Sequence, residues 1–386
     1  MKFLGLNDFQ FKDQKVLLRL DLNAPVEEGK VTNDERLIRS LPTISHILEE
    51  EGKLIIISHL GRPEENDLYQ PKFSLSPIVK RLEELLGKSI PLIEGLDNVP
   101  SIESGELLVL ENIRFLKGEK SNEPELSKKL ANLADIFVMD AFATSHRAHS
   151  STAGIIEFSK NACAGLLLRE EVNALSKLML KESTSSLAVL GGAKISTKLD
   201  LINSLSEKMG TVILGGGLAN TCLAAQGYFV GNSLIEESML GQALELSKKN
   251  NVIIPEKVIV ANSSNEEGIV THVDKVKKGQ SIFDVAPDSF VELRGLFENA
   301  TTILWNGPMG LFEEPQFSSG TKKVAEMIAS SKAFSVCGGG DTISAAADAG
   351  VLDRLDYVST AGGAFLEFVE GRKLPALEAL QLKALK

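Results

Sequence analysis

The sequence predicts an α/β protein made of parallel sheets flanked by helices and divided into two lobes. Three observations carry this reading. Short apolar runs recur along the 386 residues with helix-length spacers between them. All of the runs but VIV are followed by glycines or by charged side chains, which is where ligands bind in open α/β sheets. These endings also change character midway along the chain.

The runs are, in order, VLLRL, LIIIS, LLVL and IFVM, then LAVL, TVIL, VIV, TILW and FSV. Each has the length and apolar content of a strand buried on both faces. Between them, SPIVKRLEELLG and TKKVAEMIASS carry apolar residues at helical spacing. LLLREEVNALSKLMLKESTSS reads as a connecting helix followed by a flexible joint over 183–186, and ALEALQLKALK as a short amphipathic helix. The expected boundaries are a first lobe over 1–166, a connecting helix and hinge over 167–186, and a second lobe over 187–370.

Composition narrows the function. With 43% hydrophobic and 24% charged residues the chain is globular in class, and its formal charge of -11 argues against a general binder of nucleic acids or membrane surfaces. Small anions remain compatible with a local basic patch. Cys163, Cys222 and Cys337 lie far apart with no CxxC pair, which suits core thiols in a reducing compartment and gives no metal-ligand pattern. The start, MKFLGLNDFQFKDQK, has no continuous apolar segment and no small-residue cleavage site, so a cytoplasmic protein is expected. The uncharged stretch 209–235 is long enough to cross a bilayer, but its glycine triplet and amides read as strand, loop and helix.

The two halves carry different chemistry. Eight of the 11 arginines and four of the five histidines lie at or before Arg169, whereas 182–370 holds 21 of the 32 glycines and two arginines. Arginine grips a carboxylate or phosphate bidentately, and glycine lets backbone N–H groups approach a phosphate at a helix N-terminus. Two lobes with different ligands follow.

In the first half, RLDLNAP places Asp21 and Asn23 two apart on one face of a strand. SHLGRP carries His59 and Arg62 past a strand end, on a turn loosened by Gly61 and stopped by Pro63. DERLIRS supplies Arg36, ENIRF supplies Arg114, and DAFATSHRAHSS crowds His146, Arg147 and His149 with hydroxyls. One such ending alone would be a solvated loop. Four strand ends bearing Arg or His favour a shared basic pocket.

In the second half, GGGDTISAAADAG puts three glycines at the positive end of a helix dipole, with Asp341 able to hold a divalent cation that a polyphosphate also holds. Asp and Thr also cap helices without any ligand. GGAKISTK sets Lys194 and Lys198 four apart, on one face if a helix starts there, which suits two phosphates of a nucleotide; the alternative is two solvated lysines. WNGPMGLFE flanks its turn-forming Gly and Pro with Asn306 and Glu313, which a turn alone does not need. None of these matches GxxxxGK[ST] or GxGxxG.

Taken together, RLDLNAP, SHLGRP, LLVLENIRF, DAFATSHRAHSS, GGAKISTK, WNGPMGLFE, GGGDT and VSTAGGAFLE stand in the order seen in phosphoglycerate kinase, and the chain resembles that family over essentially its whole length. The resemblance implies two Rossmann-like lobes. The first would bind 3-phosphoglycerate or 1,3-bisphosphoglycerate, the second ADP or ATP with magnesium, and the tail 371–386 would pack back on the first. The implied substrate cup is Asp21, Asn23, Arg36, His59, Arg62, Arg114 and Arg147, with His146 at its edge. The implied nucleotide residues are Lys194, Lys198, Asn306, Glu313, Gly339, Gly340, Asp341 and Thr342, Asp341 also positioning magnesium. Gly363 matches a glycine whose N–H faces the transferred phosphoryl group, so that Arg36, Lys194, Gly340 and Gly363 would act on it. Ala143, Ala286 and Ala361 stand where glycine is usual and Thr197 where many members have aspartate. These departures put local backbone torsions in question and remove one carboxylate near the metal.

The implied reaction moves a phosphoryl group reversibly between 1,3-bisphosphoglycerate and ADP. Its nucleophile is a carboxylate or phosphate oxygen, already ionised, so no general base is required and positioning and charge stabilisation do nearly everything. Arg36 and Lys194 would converge on the group in flight, and the lobes would close to exclude water. A monomer acting on small molecules is expected. A two-lobed organic-phosphate binding protein would have no use for Lys194 or Asp341; a kinase of another small phosphorylated acid is the remaining alternative.

Overall fold

The computed structural model describes residues 2–179 and 185–385. The chain forms two compact units, one of residues 1–173 with 373–386 and one of residues 174–372. Of the expected joint at 183–186, residues 183 and 184 lie outside the described residues.

The first unit contains β1 (Lys15–Leu20), the hairpin β2 (Val26–Glu27) and β3 (Lys30–Val31), α1 (Glu35–Glu49), β4 (Lys53–Ile57), α2 (Ser76–Leu86), β5 (Leu92–Ile93) and β6 (Leu107–Leu110). Then come α3 (Pro124–Ala131), β7 (Ile136–Asp140), α4 (Ile155–Phe158), β8 (Asn161–Ala164) and α5 (Leu166–Leu178), which runs past the unit boundary. Six of these strands form one parallel sheet in the order β5-β6-β4-β1-β7-β8. Leu18 of β1 pairs with Ile56 on one side and Val138 on the other, all three fully buried, so the central strands are apolar on both faces. α2 has Pro77 in its first turn and ends on Gly87 at φ +64°, the left-handed stop that glycine adopts without strain.

The second unit contains β9 (Ser186–Leu190), α6 (Leu199–Lys208), β10 (Thr211–Leu214), α7 (Gly216–Ala225), α8 (Leu240–Ser247), β11 (Val252–Ile253), β12 (Lys257–Ala261), β13 (Ile269–His272) and β14 (Ser281–Val285). It continues with α9 (Pro287–Glu292), α10 (Arg294–Asn299), β15 (Thr302–Asn306), α11 (Ser319–Ser330), β16 (Phe334–Gly338), α12 (Gly340–Asp348), β17 (Tyr357–Ser359) and α13 (Gly363–Glu370). Its parallel sheet runs β11-β10-β9-β15-β16-β17. Counted by appearance, this is the doubly wound order 3-2-1-4-5-6, whose direction of winding reverses between β9 and β15.

The VIV run departs from expectation. It is β12, the middle of an antiparallel sheet ordered β13-β12-β14, and not a strand of the parallel sheet. A short apolar run specifies burial, and the neighbouring hairpin strand decides its partner. The uncharged 209–235 stretch is β10 followed by the 10-residue α7, and among the described residues no helix is long and apolar enough to cross a membrane. The three cysteines are free and buried. The last helix, α14 (Pro375–Lys383), belongs to the first unit, where Ala376 N–H donates to the Ser145 carbonyl at 3.1 Å and Lys383 Nζ to that of Ser159.

Candidate functional site

In the first unit, four strand ends meet around one imidazole. Beyond β1, Asp21 is buried and accepts a hydrogen bond from Arg36 Nη1, on the first turn of α1, at 2.5 Å. Beyond β4, His59 is only 4% exposed. Arg114 follows β6 and Arg147 follows β7, where Arg147 Nε donates to His146 Nε2 at 3.1 Å. Burial holds His59 well below the usual histidine pKa, and Arg19, Arg114, Arg147 and Arg36 push the same way, which places four guanidiniums within electrostatic reach of the ring.

The turn after β4 is held from two sides. Asn23 Oδ1 accepts from Gly61 N–H at 2.9 Å, and Arg114 Nη1 donates to the Gly61 carbonyl at 2.6 Å. Arg62 follows this clamped peptide, exposed and with no side-chain partner among the described residues. Burial lowers Arg114 to about 10, with Arg147 and Arg19 adding repulsion, and its Nε is buried without an acceptor among the described residues. Such a cluster is suited to a multivalent anion, which would supply the missing acceptor and relieve the repulsion.

One expectation here is corrected. Asp21 and Asn23 are not on a strand face, because β1 ends at Leu20; they form a local turn in which Asn23 N–H donates to Asp21 Oδ1 at 3.3 Å. Sequence reasoning also missed the floor of the cup. Arg19, Glu119 and Ser151 are buried beneath it, and His149, lowered to about 4 by burial and by Arg114 and Arg19, lies 3.7 Å from Glu119.

In the second unit the organising group is Lys198. Its Nζ donates to the Gly191 carbonyl at 2.6 Å and to the carbonyl and Oδ1 of Asn306 at 3.1 and 2.6 Å. Gly191 follows β9 and Asn306 ends β15, so one ammonium bridges the two strands between which the sheet reverses. Desolvation lowers it to about 8, and the charge of Asp341 opposes that fall.

Asn306 Nδ2 donates to the Gly338 carbonyl at 2.6 Å, and buried Thr342 links Gly338 to Gly307 by donating to the first at 2.8 Å and accepting from the second at 2.8 Å. Gly339 has φ +97°, and a Cβ there would lie 3.0 Å from Asn306 Nδ2. Gly340 opens α12 with free space around it, leaving first-turn N–H groups accessible, and Gly363 is the exposed first residue of α13.

A cleft of about 450 Å³ lies in this unit, and Gly192, Gly217, Leu234, Leu311, Glu313 and Asp341 are among its walls. A Cβ at Gly217 would come within 2.1 Å of the Ala193 carbonyl, so this close approach of α7 to the loop after β9 needs glycine. The signal for that wall, the triplet 215–217 after TVIL, was present in the sequence without an assigned role.

Lys194 and Lys198 do not share a helical face. α6 begins at Leu199 with Lys198 as its non-helical cap, and Lys194 is exposed in the preceding turn. Thr197 serves this turn by donating to the Lys194 carbonyl at 2.8 Å. Ala143, Ala286 and Ala361 are absent from the left-handed region, so alanine costs no backbone strain there.

Among the described residues no three His, Cys, Asp or Glu side chains are grouped to hold a metal. Asp341 is a single exposed carboxylate in the first turn of α12. That donor set fits a magnesium ion that takes most of its ligands from phosphate oxygens and water, and does not fit an all-protein cage.

The sheet order, the lysine at its switch point, the helices α7, α12 and α13 that open on glycine past other strands of the same sheet, and an arginine-lined set of strand ends in the same chain define a doubly wound α/β protein suited to handling phosphates. The family model described as phosphoglycerate kinase matches residues 6–372. Phosphoglycerate kinase of Francisella tularensis subsp. novicida is 46% identical over 394 residues and that of Vibrio campbellii 47% over 386, each alignment covering 100% of both chains. The solved phosphoglycerate kinase of Coxiella burnetii superimposes with a TM-score of 0.95 at 45% identity, covering 99% of this chain and 100% of that one. The Pyrococcus horikoshii enzyme gives 0.83 at 31%, covering 98% and 99%. The chain belongs to the phosphoglycerate kinase family.

Proposed function

We propose that the chain transfers a phosphoryl group reversibly between 1,3-bisphosphoglycerate and ADP, giving 3-phosphoglycerate and ATP, the glycolytic kinase reaction. The observation that supports it most is the pairing, in one chain, of a four-arginine cup with a lysine-centred switch point in a sheet whose strands β10, β16 and β17 lead into helices that open on glycine.

Each part has a task. Arg62, Arg114, Arg147 and His59 bind the phosphoglycerate, with Asn23 holding the turn that carries Arg62 and His146 orienting Arg147. Asp21 holds Arg36 at the head of α1. Lys198 and Asn306 shape the nucleotide pocket with Gly339 and Thr342, while Glu313 and Asp341 stand on the cleft wall. Arg36 and Lys194 neutralise charge on the moving group, and the N–H groups of Gly340 and Gly363 donate to its oxygens. Asp341 would hold magnesium, which supplies charge neutralisation to the nucleotide phosphates. No residue needs to remove a proton, since the attacking oxygen is already ionised.

The protein works as a cytoplasmic monomer on small-molecule substrates, without nucleic acid or membrane partners. The test is ATP formation from ADP and 1,3-bisphosphoglycerate with magnesium. ATP formation is expected; phosphoglycerate binding without turnover would make the chain a binder, and turnover only with a different acyl phosphate would change the substrate.

A further inference from the structure

Beneath the cup lies a buried ion to which the proposed reaction gives no role. Arg19, near the end of β1, is 1% exposed, and each part of its guanidinium is engaged. Nε donates to Ser151 Oγ at 3.1 Å, Nη1 to the Leu20 carbonyl, and Nη2 lies 3.3 Å from His59 Nδ1. Ser151 passes its own proton on to Glu119 Oε1 at 2.5 Å and donates its N–H to Oε2 at 2.9 Å. Glu119 is fully buried, so the guanidinium is braced from behind by a carboxylate acting through one hydroxyl.

A guanidinium has donors and no acceptor. The His59 nitrogen that faces it must therefore accept, and the single proton of a neutral ring then sits on Nε2. The nearest carboxylate oxygen, Asp21 Oδ1, is 4.0 Å from Nδ1, too far to take a proton from it in a hydrogen bond. The charged groups around the ring are Arg19, Arg36, Arg114, Arg147 and Asp21, so a second proton would add a cation to four guanidiniums and one carboxylate. His59 Nε2 has no protein partner among the described residues.

We infer that Arg19 is a positioning residue that fixes His59 as the neutral Nε2–H tautomer, so that His59 meets the phosphoglycerate as one uncharged hydrogen-bond donor and not as a cation. This deepens the proposed reaction and rests on it.

The tautomer is read directly by two-dimensional NMR of the full chain labelled with 15N-histidine, with His59 assigned by the signals lost in His59→Gln. The expected pattern is a protonated Nε2 and bare Nδ1 from about pH 8 to about pH 5.5. In Arg19→Met the ring should exchange tautomers or titrate in that range, and Arg19→Lys, which keeps a donor, should restore much of the wild-type pattern. Calorimetry with 3-phosphoglycerate gives a second readout. The ratio of dissociation constants for His59→Gln and wild type cancels the titration of the ligand's own phosphate and should stay flat over the same pH range. His59→Leu, lacking any donor, should bind about fivefold or more weaker than His59→Gln.

A protonated Nδ1, an imidazolium between about pH 6 and 8, or a ratio that grows as pH falls would overturn the inference. If Arg19→Met does not fold, the wild-type spectrum and the ratio still decide. A wild-type chain that makes ATP with a cationic His59 sinks only this inference, whereas one that binds no phosphoglycerate sinks the reading beneath it.

Discussion

Lys198 Nζ donates to Asn306 Oδ1 at 2.6 Å, and the same ammonium holds the Gly191 carbonyl at 2.6 Å, with no carboxylate among its hydrogen-bond partners. A lysine bonded only to neutral oxygens is a cation waiting for an anion. Burial lowers it to about 8, so its charge is lost within reach of ordinary buffers. Nucleotide affinity should therefore weaken as pH rises through about 8, and Lys198→Met should remove that inflection in calorimetric titrations. For the ligand-free chain the sign is opposite. The unfolded lysine binds its proton up to its ordinary value of 10.5, so folding becomes more favourable as pH rises from about 8 to that value.

Thr342 is a structural hinge pin for the same pocket. Its hydroxyl is the acceptor for Gly307 N–H and the donor to the Gly338 carbonyl, inside a residue 1% exposed. Thr342→Val keeps the shape and leaves a buried N–H unpaired, at a cost of about 1–3 kcal/mol. Denaturant midpoints should fall accordingly and nucleotide affinity with them. An unchanged midpoint would show that water replaces the hydroxyl without loss.

The parts of both sites that the sequence reveals are those that sit just past strand ends. Arg114 and Arg147 stand out because a charge after a buried run has few structural reasons to be there. Arg19 does not, since within VLLRL it looks like one interruption of an apolar strand, and its partners Ser151 and Glu119 are 132 and about 100 positions away. A buried charge is legible only through its counter-groups, and these are brought near by the fold. The same limit applies to VIV, whose burial is evident but whose antiparallel partners depend on register. The two lysines of GGAKISTK misled because four-residue spacing implies a shared face only inside a helix, and α6 starts at Leu199, after both of them.

Lys194 is exposed and makes no side-chain hydrogen bond among the described residues, so the folded chain has little use for it. Lys194→Ala should leave stability within about 0.5 kcal/mol. It should nonetheless lower kcat on the order of 100-fold, with a smaller change in nucleotide affinity, if its charge meets the phosphoryl group mainly in the transition state. A variant with full kcat and a raised nucleotide KM would assign Lys194 to ground-state binding instead.

The central claim is that one unit holds the phosphoglycerate and the other the nucleotide. Titration calorimetry of Arg62→Ala and Lys198→Met, each with 3-phosphoglycerate alone and with ATP alone, tests it most directly. Losing one charged partner is worth about 1.5–3 kcal/mol. Arg62→Ala should therefore weaken phosphoglycerate binding by roughly 10- to 100-fold while ATP binding stays nearly unchanged, and Lys198→Met should do the reverse. Equal loss of both ligands in either variant would contradict the division.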